Sequence, residues 1–396
     1  MTPGLARMAL VLGLLSAIGP VAVDMYLPAL PTIAADLGTN VGAVQLSLVS
    51  FFLALAVGQP IYGPLAALFG RRPPLIAGLA IFVAAAVGCT FVKSVDALVA
   101  LRFLQGFGIC SAAVIIRAVI RDLHTGPEAA RLLSLTLLVL AVSPTLAPLA
   151  GSIFIQFFSW QSIFFVLAIA GLAGIAVAVW MLPETLPPER RDQRSFGHTF
   201  AGYVGLLRDG RFLSLTVITG LIQGGFFSYI VSSAFYFIEV HGLAPWQYSL
   251  VFAANALVLI SLAQFSSSAM RRFGAERLIV LSVAVNAASA VLLLAVTLAG
   301  IASLPVALPF LFVVCWSLAF VGAPGTVLAL DPHGDKAGTA SALIGTLQFG
   351  ISAGASALVS VLFDGTALPM VAVIAACSLL ALFFTWLLFG WRPEIA

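Results

Sequence analysis

The sequence predicts an all-α membrane protein of about twelve transmembrane helices, arranged as two six-helix repeats. Three observations predict it. Of the 396 residues, 62% are hydrophobic and only 8% charged, against roughly 25% charged in soluble domains. Apolar runs of about 20 residues recur along the whole length, each long enough to cross a ~30 Å hydrocarbon layer as a helix. One proline-rich, charged stretch interrupts them, and the runs on its two sides echo each other. Strands of a membrane barrel would alternate at period two over about 10 residues; runs such as LVLGLLSAIGPVAV do not.

The spans fall at residues 8–30, 42–64, 75–92, 97–119, 132–155, 161–182, 213–240, 247–270, 278–300, 306–330, 338–363 and 369–391. The first is too long for a signal-peptide core and no A-x-A-like cleavage site releases it, so it is expected to be retained. With an even number of spans, both termini share a side. On that side fall Arg7, Arg71, Arg72, Arg121, Arg131, Arg190, Arg191, Arg194, Arg208, Arg211, Arg271, Arg272, Arg277, Lys336 and Arg392; the opposite loops contain Lys93. Basic loops stay cytoplasmic, which puts both termini inside, and the multi-pass chain in a bacterial cytoplasmic (inner) membrane. The net charge of +3 is then a topology signal, and no nucleic-acid partner is expected. Cys89, Cys110, Cys315 and Cys377 all lie in spans without C-x-x-C spacing. They read as small apolar packing groups rather than a disulfide framework or zinc site.

The interruption is PETLPPERRDQRSFGHTFAGYVGLLRDGRF, residues 183–212. It reads as a cytoplasmic linker with an interfacial helix near 197–207. It separates an N-terminal bundle (1–182) from a C-terminal bundle (213–396). LFGRRPPLIAG after the second span is echoed by RRFGAERLIVL after the eighth. Setting Gly70 against Gly274 carries the first span onto the seventh. Paired repeats of this kind build many secondary transporters, with the substrate site near mid-membrane between them.

Four motifs carry a resemblance. GQPIYGPLAALFGRRPPL is similar to the loop 2–3 signature of the major facilitator superfamily, LRFLQGFGIC to its fourth-span motif, and VSPTLAPLAG to the Pro/Gly fifth-span motif of exporters. DMYLPALP, RRPPL and WQSIF resemble the Bcr/CflA branch of drug:proton antiporters. The resemblance covers nearly the whole chain and implies a major facilitator fold. It also implies proton-coupled export of small lipophilic or cationic compounds, as in multidrug and antibiotic efflux. No cofactor is implied beyond the proton-motive force, no enzymatic step, and a monomer is expected. The gating elements it implies are Gly63, Gly70, Arg71, Arg72 and Asp122 at the cytoplasmic ends of the second to fourth spans. Pro144 and Pro148 break the ladder of the fifth span, with Gly151 following; proline there frees carbonyls and permits bending, which reads as a gating hinge or as a fixed kink. The chain departs from the signature at Ala67 and Leu68, where the family has Asp and Arg. That acid helps to latch the two halves in the family.

Asp24, late in the first apolar run, is the residue that most needs a reason. An ionisable group inside a bundle is by default a functional candidate whose partner should be named. Counted at ~1.5 Å per residue, Asp24 lies roughly 10 Å below the outer end of the first span, and Arg102 roughly 8 Å below that of the fourth. They read as the deep acid and deep base, sharing one level. Burial disfavours a charged carboxylate and a nearby guanidinium favours it, as a proton-coupled charge switch requires. A static salt bridge, or a carboxylate that marks the helix end before Tyr26, Pro28 and Pro31, reads the same residues. Under the repeat alignment Ser228 stands opposite Asp24 and Val306 opposite Arg102, so proton chemistry is expected in the first half.

The second half then supplies cargo contacts: Phe226, Phe227, Tyr229, Phe235 and Tyr236 on the seventh span, Asn255 on the eighth and Gln348 on the eleventh. Tyr26, Gln45 and Gln105 join them from the first half. Aromatic rings suit flat, lipophilic or cationic molecules, and they also serve as packing. Buried amides also bond helix to helix. Glu239 reads as a solvated rim residue. GISAG (350–354) matches G-x-S-x-G, but the hydrolase elbow needs a strand–turn–helix and a His/acid pair. Gly350 and Gly354 read instead as small residues for close helix packing. An ATP-driven pump lacks its Gly-Lys-Ser/Thr. A proton-coupled carrier of a specific metabolite and a non-transporting membrane sensor remain as alternatives.

Overall fold

The computed structural model describes residues 3–124, 126–191 and 196–390; Arg194 and Arg392, counted above for orientation, lie outside them. Fifteen helices follow one another, and among the described residues there is no strand. The N-terminal bundle holds α1 (Pro3–Asp24), α2 (Leu30–Asp36), α3 (Val41–Leu68), α4 (Arg72–Cys89), α5 (Val95–Leu123), α6 (Gly126–Ala141), α7 (Ser143–Phe157) and α8 (Gln161–Trp180). The linker carries α9 (Phe196–Leu207). The C-terminal bundle holds α10 (Gly210–Ala234), α11 (Pro245–Phe273), α12 (Ala275–Leu298), α13 (Leu304–Leu330), α14 (Ala337–Val361) and α15 (Leu368–Phe389).

Eleven of these segments are long and apolar enough to span a membrane. The remaining expected span, the fifth at 132–155, is broken into α6 and α7. Pro144 enters the first turn of α7 without an N–H, so the i→i−4 ladder lapses there. Val142 bridges the gap: its N–H donates to the carbonyl of Val139, and its own carbonyl accepts from Thr145 and Leu146. The first span breaks too. α1 stops at Asp24, a 3₁₀ turn (Leu27–Ala29) with Pro28 in its first turn follows, and α2 begins with Pro31 in its own first turn. The chain passes this break close to α7, where a Cβ on Gly151 would meet the backbone of Met25. The seventh span ends in a π-helical turn, Phe235–Val240.

Within the N-terminal bundle α5 packs on α3 and α4, and α4 on α8; within the other, α10 packs on α13, α14 and α15. The bundles meet where α3 lies along α14 and α7 along α11. The linker helix near 197–207 is present as α9, seated on α14 and α10 with Tyr203 and Leu206 buried. Gly70 and Gly274, the glycines that align the repeats, have φ of +89° and +82°. That left-handed region is open to glycine at little strain.

Candidate functional site

A cavity of about 480 Å³ lies between the bundles, within the size range of small-molecule sites. Its wall is built from Phe51 and Phe52 on α3, Phe226, Phe227 and Tyr229 on α10, Phe252 on α11 and Phe349 on α14. The rings fix one another. Phe52 and Phe227 meet edge to face at 4.4 Å, Phe227 and Phe349 at 6.0 Å, and Tyr229 stacks on Phe252 at 6.3 Å, arrangements favoured by the ring quadrupole. Polar groups on the wall are sparse: Ser16, Gln59, Thr136 and Asn255, with the Asn255 amide 3.5 Å from the Tyr229 hydroxyl. Two charged residues line it, Asp24 and Arg117. Pro144, at the break in the fifth span, lines it as well.

Arg102 corrects one expectation. It is fully buried, and its guanidinium carbon sits 4.5 Å from the Phe51 ring centre, 4.7 Å from Tyr26 and 5.9 Å from Phe164. Nη1 donates to the carbonyl of Ala22 at 3.2 Å and to the Gln105 side chain. Arg102 and Asp24 therefore do share a level, but among the described residues no ion pair joins them. Depth along an axis does not set the direction in which a side chain leaves it. Arg102 is held in a cage of three rings, while Asp24 lines the cavity. Among the described residues, Nε and Nη2 of Arg102 have no hydrogen-bond partner. A second correction is Arg117: Arg102 is not the lone base within the spans.

Of the expected cargo residues, Phe226, Tyr229 and Asn255 line the cavity, with Phe227. The others serve elsewhere. Tyr26 forms the arginine cage and shares a 2.8 Å hydrogen bond with Ser47. Gln105 holds Arg102. Gln45 reaches Ser232 across the bundles at 3.5 Å, and Gln348 donates to Thr219 at 3.0 Å. Tyr236 packs on Phe237 and His241, and Phe235 on Phe363. Gln59, Arg117, Phe52, Phe252 and Phe349 are wall residues that sequence reasoning missed; Gln59 alone carried a signal, as part of the GQPIYG motif. In GISAG, the Ser352 hydroxyl donates to the Gln348 carbonyl within α14, as helix serines do. Gly350 and Gly354 have nothing within 4 Å of where a Cβ would stand, so close packing does not explain them.

Closure at the end away from the termini uses Pro148, whose carbonyl accepts from Ser249 of the other bundle at 2.9 Å. At the termini end, Arg71 grips Asp122 with Nε at 2.8 Å and Nη2 at 3.2 Å, and Nη1 donates to the Ala66 carbonyl. Thr185 also donates to Asp122, and Arg72 to the Val179 carbonyl at 2.6 Å. Glu184, unforeseen, accepts the backbone N–H groups of Arg71 (2.8 Å), Arg72 (3.1 Å) and Leu186 (3.0 Å). Burial works to raise its pKa, but these three hydrogen bonds and Arg191 hold it below the usual carboxylate value. These ties at the termini end join the N-terminal bundle to itself and to the start of the linker, and none of them reaches the C-terminal bundle. Gly63 has open space beside it.

A helical bundle pair, an inter-repeat cavity and a broken span on its wall describe a transporter, and comparison with known proteins agrees. The family model described as Major Facilitator Superfamily matches residues 12–357. The chain is 35% identical to the uncharacterized MFS-type transporter YdgK of Bacillus subtilis, covering 92% of this chain and 91% of that one. It is 31% identical to a bicyclomycin resistance protein homolog of Haemophilus influenzae over 95% of both. With the multidrug resistance protein MdtL of Shigella dysenteriae it shares 28%, over 95% of this chain and 94% of that one. A solved D-xylose–proton symporter shares the fold with a TM-score of 0.75 at 16% identity, covering 96% of this chain and 97% of that one. The chain is thus a multi-pass membrane transporter that belongs to the major facilitator superfamily, in its Bcr/CflA-type branch.

Proposed function

We propose that this transporter is a proton-coupled antiporter that exports small lipophilic or cationic compounds across the bacterial cytoplasmic membrane. It works as a monomer, with both termini in the cytoplasm and no cofactor other than the proton-motive force. The observation that carries the reading is Asp24, the acid on a largely apolar cavity wall. That one carboxylate can take up a proton or face a cationic cargo, but not both at once. Proton and cationic cargo therefore compete for one group. Arg102, with two unpaired nitrogens one helix away, is the countercharge that helix movement brings into or out of play. The names of the relatives, bicyclomycin resistance and multidrug resistance, support drug-like cargo. A carrier of a hydroxyl-rich metabolite would need more hydrogen-bonding groups than this wall supplies.

Each proton carried inward is worth ~2.3 kcal/mol per 100 mV, enough to sustain a gradient of uncharged cargo of about fifty-fold; one-for-one exchange with a monovalent cation moves no net charge and is driven by the pH difference. The test is transport of a lipophilic cationic dye into proteoliposomes with an imposed, acid-inside pH gradient. The dye should accumulate and collapse the gradient; equal dye movement with and without the gradient would refute coupling. Orientation is tested by thiol labelling of intact cells. The four native cysteines are buried, so an impermeant reagent should label Lys93→Cys and spare Arg272→Cys. The opposite pattern would invert the topology.

A further inference from the structure

The cavity holds a second charge that the coupling reading does not use. Arg117 lies on α5 between its midpoint and its end at Leu123, roughly 9 Å along the axis from that end. An arginine so placed ordinarily stretches outward, leaving its stem in lipid and its head in water. Arg117 does the reverse. Nε donates to the carbonyl of Ala113, one turn deeper on the same helix, at 2.8 Å. Nη2 donates to Oε1 of Gln59 on α3 at 3.4 Å. The head is folded back toward the middle of the bundle, and the surface it leaves open faces the cavity.

Nothing there neutralises it. Among the described residues no carboxylate lies within ion-pairing distance, and Arg121, one turn on, adds charge of the same sign. Asp24 stands at the level of Arg102, which bonds Ala22; Arg102 and Arg117 are separated by about 22 Å of helix. The guanidinium has five N–H donors in a planar fork, and the two hydrogen bonds just described leave a cavity-facing side of that fork free. Such a fork fits a carboxylate with two parallel hydrogen bonds.

We propose that this end of the cavity recognises a carboxylate on the cargo. The compounds carried then include amphipathic carboxylates, with the apolar body against Phe52, Phe227 and Phe252 and the anionic head on Arg117. The proposal rests on the reading of the cavity as the cargo site.

The experiment measures binding of 1-pyrenebutyrate and of its uncharged amide to the full chain in nanodiscs at neutral pH. The carboxylate should bind at least about tenfold more tightly than the amide. R117Q should bring the carboxylate and the amide to equal affinity in that variant, with its unfolding midpoint in detergent showing that the fold is kept; R117K should keep part of the preference. Equal binding of the two probes to the wild type overturns the proposal and leaves the cavity reading intact. So does a preference that survives in R117Q. Should R117Q lose the amide as well, R117K decides: a preference below that of wild type supports the proposal, and an unchanged one overturns it. If neither probe binds the wild type, the cargo-site reading falls together with this one.

Discussion

Glu184 holds the turn between α3 and α4 by accepting the backbone N–H groups of Arg71 and Arg72 at the start of α4, where the helix dipole also favours negative charge, and that of Leu186 beside it in the linker. Its folded pKa lies below the ordinary value of 4.5. The stability it contributes is therefore complete above about pH 4.5 and lost as pH falls through the lowered folded value. Glu184→Gln should lower stability by about 1 kcal/mol at neutral pH. The difference from wild type should shrink in acid, measured by thermal unfolding in detergent between pH 3 and 7; a gap independent of pH would contradict the account. Residue by residue, the sequence was legible where composition made a group anomalous. Asp24, Phe226, Tyr229, Asn255 and Pro144 stood out for that reason, and all line the cavity. Arg102 was legible as buried but not as caged, because residue counting measures depth and not azimuth. Arg117 resembled an interfacial residue, since it lies just inside the expected end of its span. Glu184 was one acid in a charged linker, and only the folded turn shows which N–H groups it meets.

At the scale of elements, hydropathy located the spans to within a few residues but not their breaks; the prolines marked those, Pro144 in the fifth span and Pro28 and Pro31 after Asp24 in the first. An apolar run looks alike whether it is one helix or two; only the positions of Pro28, Pro31 and Pro144 mark where the ladder lapses. Glycines behave the same way, because a small residue in a span signals close packing only if another helix is there. Gly106 on α5 packs directly on α3: a Cβ built on it would fall 2.5 Å from the Phe51 carbonyl oxygen and 3.1 Å from the Ala54 Cβ. Gly350 has open space. Gly106→Leu should therefore destabilise by about 1–3 kcal/mol or more, while Gly350→Leu should stay within about 0.5 kcal/mol of wild type. Unfolding midpoints of the two variants check this, and equal losses would contradict the assigned crossing of α3 and α5.

In the whole molecule, two repeats of one design have diverged in charge. Both keep the left-handed glycine after their second span, yet Asp24, Arg102 and Arg117 all belong to the first half, while the second gives the cavity most of its rings, with Asn255, and no charge among the described residues. The repeat alignment anticipated this asymmetry, and the cavity between α3, α5, α10 and α11 is where the two halves combine. The central claim is that Asp24 is the point where proton and cargo exclude each other. It is tested most directly by recording substrate-induced proton release from proteoliposomes containing wild type or Asp24→Asn, matched for amount and folding. The amide is nearly isosteric and cannot ionise. The account predicts that the variant releases no protons and builds no cation gradient, while still binding or leaking neutral cargo downhill. Full proton-coupled accumulation by Asp24→Asn would contradict it.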